Sequence, residues 1–390
     1  MFDVIIIGAG ATGLFCAAVG KRQKGLILES SEEPGKKLLV TGAGQCNMTH
    51  GGNIKDFVNH YGSHGSKIRT ALYKFNNKET VSFFQSKQMP IIEREDKKIF
   101  PECLSAKKVR DKLVELSVDN GWEICTNTKV FSIEKIENGW LINNEYKTQK
   151  VIIGTGGCTY SQLGSDGSMF KILEKLQLNI VKPKAALAPI NVENYNLGHL
   201  SGISFKNVRI EIMKDNTKIV SAKGDLLLTH KNFSGPVILN ISRYIRAGQK
   251  MIIDFAPSFS KEISCDGIKK NILAYLVEKT GLPSRFIETL IEKVGENPKM
   301  KTASVSGKNV KAIIDLIHKY KFSISGPGDF IQGMVTAGGV SLDEINTKTF
   351  ESKKHEGLFI IGEALDVDGD TGGYNLQFAF SSAAIVAKNL

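Results

Sequence analysis

The sequence predicts an α/β fold in which both ends of the chain supply strands to one parallel sheet. Three predicted strands rich in apolar residues lead directly into glycine: residues 4–7 before Gly8, residues 150–153 before Gly154, and residues 358–361 before Gly362. Runs rich in Val and Ile are typical of parallel strands that are buried on both faces. Because these runs lie on both sides of residues 187–325, we expect that segment to be an insertion.

The first run opens a nucleotide-binding pattern. Gly8, Gly10 and Gly13 have the spacing G-x-G-x-x-G. The first glycine makes a tight turn, the second lets the backbone approach a pyrophosphate, and the third lets a helix lie close to the strand. A helix predicted over 11–21 would offer its N-terminal N–H groups to that phosphate. The pattern therefore predicts dinucleotide binding, without choosing between FAD and NAD.

A second strand over residues 26–28 supports this interpretation. It ends in Glu29, which lies 21 positions after Gly8. A carboxylate at this point can accept hydrogen bonds from both hydroxyls of an adenosine ribose and would repel a 2′-phosphate. Further along, Gly42 and Gly44 lie among Thr, Gln and Asn residues, which predicts a loop that presents backbone donors to a ligand. A flexible surface loop is the alternative, but the apolar residues 38–40 would anchor it.

Residues 66–120 are predicted to be mostly helical, near 66–75, 77–88 and 105–120, with a hairpin between 91 and 100. The segment 187–325 changes character. Short strands at 189–193, 204–213, 217–222, 225–229 and 250–255 predict barrel-like antiparallel structure. Helices follow near 261–280, 283–294 and 306–319. We therefore predict a nucleotide-binding domain of residues 1–186 and 326–390, a β-rich domain of 187–260 with about 320–325, and a small helical domain of 261–319.

The C-terminal end favours FAD over NAD. Glu363 follows the last buried strand and can accept a hydrogen bond from a ribityl hydroxyl. A helix that begins near Gly373 would direct its N–H groups at the flavin N1–C2=O, where negative charge gathers on reduction. NAD has no such second polar anchor. The acidic run Asp366, Asp368 and Asp370 resembles a calcium loop, but its glycine stands fourth instead of sixth, so we predict no metal.

Composition and charge narrow the class of protein. Of 390 residues, 42% are hydrophobic and 23% charged, and the net charge is +11. Such a charge raises the possibility of nucleic acid, but the lysines occur as scattered pairs, which favours a solvated surface. No C-x-x-C or zinc spacing connects the six cysteines, so we expect reduced thiols in a cytoplasmic protein: Cys16, Cys46, Cys103, Cys125, Cys158 and Cys265. The apolar N-terminus lacks a basic region, so we predict neither a signal peptide nor a membrane span.

Three side chains are candidates for a catalytic acid. Tyr374, His230 and Cys46 each lie in a polar loop that could face the flavin ring. Each has a structural alternative: Tyr374 as a packing residue, His230 in a turn before Pro236, and Cys46 as a small buried residue.

Five stretches carry a family resemblance. They are GAGATG from Gly8, GKKLLVTGAGQCN from Gly35, THKNFSGP from Thr229, TAGGVSLDE from Thr336, and GEALDVDGDTGGYNLQ from Gly362. Together they resemble the bacterial NAD(P)/FAD-dependent oxidoreductases of the aminoacetone-oxidase-like group, which includes the bile-acid enone reductases. The chain departs from that pattern at Ala43, Gln45 and Asn232, where the family usually has Gly, Arg and often Gly.

The resemblance implies a Rossmann-like, two-dinucleotide-binding-type FAD domain with an inserted β-barrel-like domain and a small helical domain. It implies noncovalent FAD and a set of cofactor-binding residues. That set is Gly8, Gly10, Ala11, Thr12, Gly13, Glu29, Lys36, Lys37, Thr41, Gly42, Gly44, Gln45, Cys46, Asn47, Val130, Thr155, Gly156, Gly362, Glu363, Gly373, Asn375, Leu376 and Gln377.

The function we expect is reduction of an activated C=C bond or a related small organic acceptor. Hydride would pass from NAD(P)H, docked transiently because no second G-x-G-x-x-G exists, through flavin N5 to a small-molecule substrate. One alternative is an amine oxidase that releases hydrogen peroxide. Another is a flavoprotein that binds or modifies RNA, suggested only by the charge. We expect no membrane partner and, on balance, no nucleic acid; monomer and dimer both stay open.

Overall fold

We describe the fold from a computed structural model that covers residues 1–21, 24–260, 263 and 267–390. The chain forms two compact units. The first comprises Met1–Ala185 and Gly333–Leu390, and the second comprises Ala186–Gln332. The sequence placed these boundaries at 186/187 and 325/326. The barrel strands and the small helices, predicted as separate domains, fall within the second unit.

The first unit is built on a parallel sheet. The N-terminal part of this unit contributes the strands β1 (Phe2–Ile7), β2 (Gly25–Leu28), β3 (Thr49–His50), β4 (Ile91–Glu93), β5 (Lys98–Pro101), β6 (Trp122–Cys125), β7 (Ile133–Ile136), β8 (Gly139–Ile142), β9 (Tyr146–Ile153) and β10 (Ile180–Ala186). Of these, β3, β4 and β5 form a separate antiparallel sheet, and β10 also lies outside the parallel sheet. From the C-terminal part come β17 (Val335–Val340), β18 (Ile345–Asn346), β19 (Glu351–Ser352) and β20 (Leu358–Ile360). The central order is β20-β9-β1-β2-β6, with all neighbours parallel. The two ends of the chain therefore share one sheet, as predicted.

Helices cover this sheet. They are α1 (Ala11–Val19), α2 (Lys36–Leu39), α3 (Ile54–Phe57), α4 (Gly65–Lys74), α5 (Asn77–Ser86), α6 (Ala106–Asp119), α7 (Ser168–Lys175) and α12 (Tyr374–Lys388). Helices α1 and α12 meet through Phe15 and Phe380, whose ring centroids are 4.4 Å apart. Each fully buried aromatic of this kind stabilises the fold by about 1.5–3 kcal/mol. The short helix α2 differs from the predicted loop, because Leu38 anchors one turn against the core.

The second unit contains a closed barrel. Its strands are β11 (Ile190–Val192), β12 (Ser204–Lys214), β13 (Thr217–Leu228), β14 (Phe233–Ser234), β15 (Lys250–Asp254) and β16 (Tyr320–Pro327), in the order β11-β14-β13-β12-β15-β16. Its helices are α8 (Pro236–Ile241), α9 (Ile272–Thr280), α10 (Ser284–Lys293) and α11 (Gly307–His318). The helix predicted over 261–280 begins only at Ile272, and residues 261, 262 and 264–266 lie outside the described part.

Two sequence expectations can be set against this fold. Five of the six cysteines are free: Cys16, Cys46, Cys103, Cys125 and Cys158. Cys265 lies outside the described residues. Within the part of the chain that the structure describes, no helix combines the length and the apolar character needed to cross a membrane.

Candidate functional site

A cleft in the first unit lies along the carboxyl ends of β1, β2 and β9. Parallel α/β sheets bind their ligands at this edge, where strands end and helices begin. The predicted residues that line it are Gly8, Gly10, Ala11, Thr12, Glu29, Lys36, Lys37, Thr41, Val130, Thr155, Gly156, Glu363, Asn375 and Leu376. The structure thus brings residues from both ends of the chain to one cavity.

The glycine turn forms the floor of this cleft. Gly8 has φ +99°, a left-handed conformation that glycine adopts without strain. A β-carbon on Gly13 would lie 2.0 Å from the carbonyl oxygen of Gly8, so the close approach of α1 to β1 requires glycine there. A β-carbon on Gly10 would meet only the Gly154 oxygen, at 3.9 Å. Gly10 therefore leaves open space beside the N-terminus of α1, where an anion is stabilised.

Glu29 closes the end of the cleft at β2. Its carboxylate is buried and accepts hydrogen bonds from the backbone N–H groups of Ala9 and Ser31, both at 2.8 Å. The first of these bonds ties the carboxylate to the glycine turn. Glu29 also lines the cavity, so it can accept from a ligand hydroxyl in addition to these donors.

Glu363 lies at the other end, in a partly buried polar cluster. Lys37 Nζ lies 2.8 Å and 3.0 Å from its two carboxylate oxygens, and the N–H of Thr336 donates to it at 2.8 Å. The Lys37 ammonium also donates to Thr159 Oγ1 at 2.9 Å. These contacts hold the carboxylate in one orientation at the cavity wall. Acceptance from a ribityl hydroxyl stays a prediction.

Helix α12 directs its N-terminus at the same cavity. Gly373 caps the helix with φ +99°, and Asn375 and Leu376 of the first turn line the cleft. The Asn375 amide braces the preceding loop, because it accepts from Gly369 N at 2.8 Å and donates to Gly369 O at 2.9 Å. A helix of this length carries a partial positive charge at its N-terminus, which favours negative charge on a ligand there.

One buried polar atom of the cleft bears on whether a dinucleotide could bind there. The hydroxyl of Thr155, two residues after the end of β9, is buried and has no hydrogen-bond partner among the described residues. An unsatisfied buried hydroxyl costs about 1–3 kcal/mol, so a ligand that pairs with it would be stabilised. Thr155 and Gly10 both line the cleft. A pyrophosphate or ribose oxygen at this point fits both residues.

Several predicted residues lie outside the cavity lining: Gly13, Gly42, Gly44, Gln45, Cys46, Asn47, Gly362, Gly373 and Gln377. Gln377 lies in the core, where it accepts from Thr49 Oγ1 at 2.6 Å and Thr80 Oγ1 at 2.9 Å and donates to Phe75 O at 3.0 Å. Its amide therefore joins α12 to its neighbours. Next to Gln45, the Arg94 guanidinium donates to the Gln45 amide at 2.5 Å and lies 4.0 Å over the Phe100 ring.

The three candidate catalytic acids are found in different surroundings. Cys46 is fully buried, and burial raises the pKa of its thiol to about 12. Tyr374 is buried and stacks on His60, with ring centroids 4.0 Å apart, and burial raises the pKa of its phenol. Neither side chain lines the cavity. His230 is an exposed residue of the second unit. A role for any of them stays a prediction.

Sequence reasoning missed one wall of the cleft. Residues 163–169, with Thr128, Lys129, Met334, Val335, Val367 and Phe378, also line it. Lys129 Nζ forms an ion pair with Asp166 Oδ2 at 2.8 Å across this wall. Gly164 has φ +99°, and its position lies close to Glu29 and Ser31. Gly164 and Gly167 lie shortly after a strand that ends in glycine, and this spacing could have predicted that the segment reaches the cleft.

Comparison with known proteins identifies the family. Residues 2–389 match the family described as HI0933-like protein Rossmann domain. The chain belongs to this family. It is 30% identical to the ribosomal RNA dihydrouridine synthase of Escherichia coli (strain K12), over 100% of this chain and 98% of that protein. The enzyme of the same name from Haemophilus influenzae is 31% identical, over 99% and 98%. The 3-dehydro-bile acid delta(4,6)-reductase of Clostridium scindens is 26% identical, over 98% and 97%.

Solved structures agree on the fold. A flavocytochrome c3 fumarate reductase superposes with a TM-score of 0.52 at 12% identity, over 100% of this chain and 78% of that one. A 3-ketosteroid delta1-dehydrogenase from Sterolibacterium denitrificans gives 0.50 at 12% identity, over 100% of each chain. The predicted fold class and family are confirmed, and both solved structures share the mixed α/β fold of this chain.

Proposed function

We propose that this protein reduces uridine in ribosomal RNA to dihydrouridine, with FAD as cofactor and NAD(P)H as reductant. One observation carries the proposal: the chain matches two ribosomal RNA dihydrouridine synthases at 30% and 31% identity over almost their whole length. The bile-acid reductase matches over a similar length at 26%. The proposal departs from our sequence-based expectation that no nucleic acid is bound.

The chemistry agrees with the reaction expected from the sequence. The C5=C6 bond of uridine is conjugated with the C4 carbonyl, so it is an activated C=C bond. FAD, when bound, would supply the hydride-transfer chemistry that links NAD(P)H to the β-carbon of uridine, C6. A proton adds at C5, so that uridine, NAD(P)H and H⁺ give dihydrouridine and NAD(P)⁺. Two hypotheses from the sequence, reduction of an activated C=C bond and modification of RNA, are thus combined in one reaction.

The residues of the cleft have defined tasks in this proposal. Gly10 and the N-terminus of α1 would hold the pyrophosphate, and Glu29 the adenosine ribose. Thr155 would donate to or accept from the same ligand. The N-terminus of α12 would stabilise negative charge at the far end of the cleft, next to the fixed Lys37–Glu363 pair. The task of these groups is to bind and orient the cofactor.

The test is direct measurement of product. Ribosomal RNA is isolated from a strain that lacks this gene and incubated anaerobically with the purified yellow holoenzyme and NADH or NADPH. Nucleosides from the digested RNA are then separated and identified by mass spectrometry. We expect dihydrouridine to appear only with enzyme and reductant together, and the flavin band to bleach before RNA is added. An enzyme whose flavin is reduced but which forms no dihydrouridine in this RNA would contradict the proposal.

A second candidate is reduction of a small enone, favoured by the 26% identity to the bile-acid reductase. It shares the cleft and the reductant and differs only in the acceptor. Steroid enones added to the reduced enzyme in place of RNA separate the two, since reoxidation of flavin by the enone without oxygen supports the second candidate. Hydrogen peroxide release with an amine would instead support the oxidase alternative.

A further inference from the structure

The positive charge of the protein is concentrated in the second unit. Residues 186–332 contain 21 basic and 13 acidic residues, a net charge of +8. The larger first unit contains 30 basic and 27 acidic residues, a net charge of +3. The second unit, which does not contain the cleft described above, therefore carries most of the excess positive charge. A strong net charge of one sign favours association with a partner of opposite charge.

The strand register shows where part of this charge lies. On the outer face of the barrel, Arg209 of β12 stands directly opposite Lys223 of β13. Two rows along, beyond Glu211, Met213 of β12 stands opposite both Lys218 of β13 and Lys250 of β15. Adjacent strands are about 4.8 Å apart, and successive outward residues on one strand are about 6.8 Å apart. The basic groups therefore form a compact array across neighbouring strands.

Most of the carboxylates within this array are already occupied. Glu211 pairs with Lys218 at 2.6 Å, and Asp225 pairs with Lys206 at 2.7 Å. Asp254, which stands opposite Arg209, is bound by His318 at 3.0 Å. Besides Lys214 at the end of β12, four exposed basic residues on four neighbouring strands form no ion pair with a described residue: Arg209, Lys223, Lys250 and Lys321. We call these four residues the basic face.

The pairing of Arg209 with Lys223 has a cost for the isolated protein. Like charges directly opposite on antiparallel strands are destabilising, whereas opposite charges there stabilise by about 0.2–1 kcal/mol. A bound polyanion would remove this repulsion. Phosphates along an RNA backbone offer regularly spaced single charges, which suits an array of separate basic side chains on a barrel surface.

We propose that the basic face binds the sugar-phosphate backbone of the ribosomal RNA substrate. This inference rests on the proposed function and adds a division of tasks to it: the first unit holds the cofactor, and the second unit supplies affinity for RNA. Contacts of this kind depend on salt and carry little sequence information. Recognition of a particular uridine would therefore need further contacts.

The test removes three of the four charges and keeps the holoenzyme intact. The variant is Arg209→Gln, Lys223→Gln and Lys250→Gln together. Its matched control is Lys78→Gln, Lys108→Gln and Lys171→Gln, which removes the same charge from exposed positions on helices of the first unit. End-labelled ribosomal RNA from the deletion strain is retained on filters by each protein between about 50 and 200 mM salt. Melting temperature and bound flavin are measured for all three.

Counterion release gives the expected size of the effect. Each lost phosphate contact lowers the slope of log K against log salt by about 0.7 on single-stranded RNA, so the triple variant should lose about 2. Its affinity should fall about 10- to 100-fold at 0.1 M salt, with unchanged melting temperature and flavin content. Its KM for RNA should rise while the rate of flavin reduction by NAD(P)H stays the same. The control triple should behave as the unmodified protein does.

The outcomes separate this inference from the proposed function. If dihydrouridine forms and both triples bind RNA equally well, the basic face is refuted and the function stands. If no dihydrouridine forms but the basic-face variant alone shows a smaller slope of log K against log salt, the proposed function is wrong and RNA binding by the basic face is supported. If the unmodified protein does not retain RNA at the lowest salt concentration, the proposal that the basic face binds RNA is wrong.

Discussion

Substitution of Gly10 by alanine isolates the nucleotide-binding task of the cleft. Gly10 has φ −77° and ψ −172°, an extended conformation that alanine adopts without strain. The new methyl group would have the Gly154 oxygen, at 3.9 Å, as its neighbour, which is an ordinary van der Waals contact. The apoprotein should therefore keep its stability to within about 0.5 kcal/mol.

The cost should appear only when FAD binds. The methyl group would occupy the space through which a pyrophosphate approaches the backbone. A phosphate oxygen bonded to N–H at about 2.9 Å would then have to retreat from the turn. Loss of one hydrogen bond to a charged group costs about 1.5–3 kcal/mol. At 1.4 kcal/mol per tenfold change, the FAD dissociation constant should rise about 10- to 150-fold.

The assay is titration of apoprotein with FAD, followed by fluorescence quenching, with melting of the apoprotein in parallel. The matched control is Gly13→Ala, because a β-carbon there would lie 2.0 Å from the Gly8 oxygen and should destabilise the apoprotein itself. A Gly10→Ala protein that binds FAD as tightly as the parent would refute the placement of the pyrophosphate at this turn.

Three further predictions follow from buried groups. Thr155→Val should leave the apoprotein as stable or slightly more stable, since its hydroxyl has no partner there, but weaken FAD about tenfold in the same titration. Gln377→Leu should lower the free energy of unfolding by about 3 kcal/mol in urea melts, because it leaves buried partners unpaired; a change in FAD affinity without loss of stability would contradict its core position. Burial raises the pKa of both Cys16 and Cys46 from 9.0 to about 12, so stability should be complete below pH 9 and fall between pH 9 and 12. The loss is about 1.4 kcal/mol per pH unit for each thiol, and Cys46→Ala should reduce the slope measured by urea denaturation.

The framework was predictable because its signals are local. Each strand of the central sheet that meets the cofactor cleft is an apolar run that ends at glycine or an acid, and β1, β9 and β20 are neighbours as expected. The break predicted between 222 and 225 was wrong, since β13 continues through Gly224. A β-carbon there would lie 3.2 Å from Val237, so this glycine serves close packing of α8 on the strand and not a turn.

The site was less predictable because it depends on tertiary placement. Gly8, Gly10 and Glu29 line the cleft, since their spacing along the sequence fixes them at one sheet edge. Gln377 and Cys46 belong to equally distinctive stretches, yet their side chains lie in the core. Nothing in a linear motif separates a residue that contacts a ligand from one that braces the element carrying it. The wall at 163–169 comes from a segment whose position is set by packing.

The split of the first unit between two chain segments has a consequence for biosynthesis. The carboxyl end of strand β9 pairs with β20, and the α12 end of the cleft is made by residues that are translated after residue 332. The contiguous segment 186–332 leaves the ribosome before them. A nascent chain therefore holds an incomplete pocket until β20 and α12 have been translated, and we expect the flavin to bind only after that. Chains stalled before residue 333 should accumulate colourless.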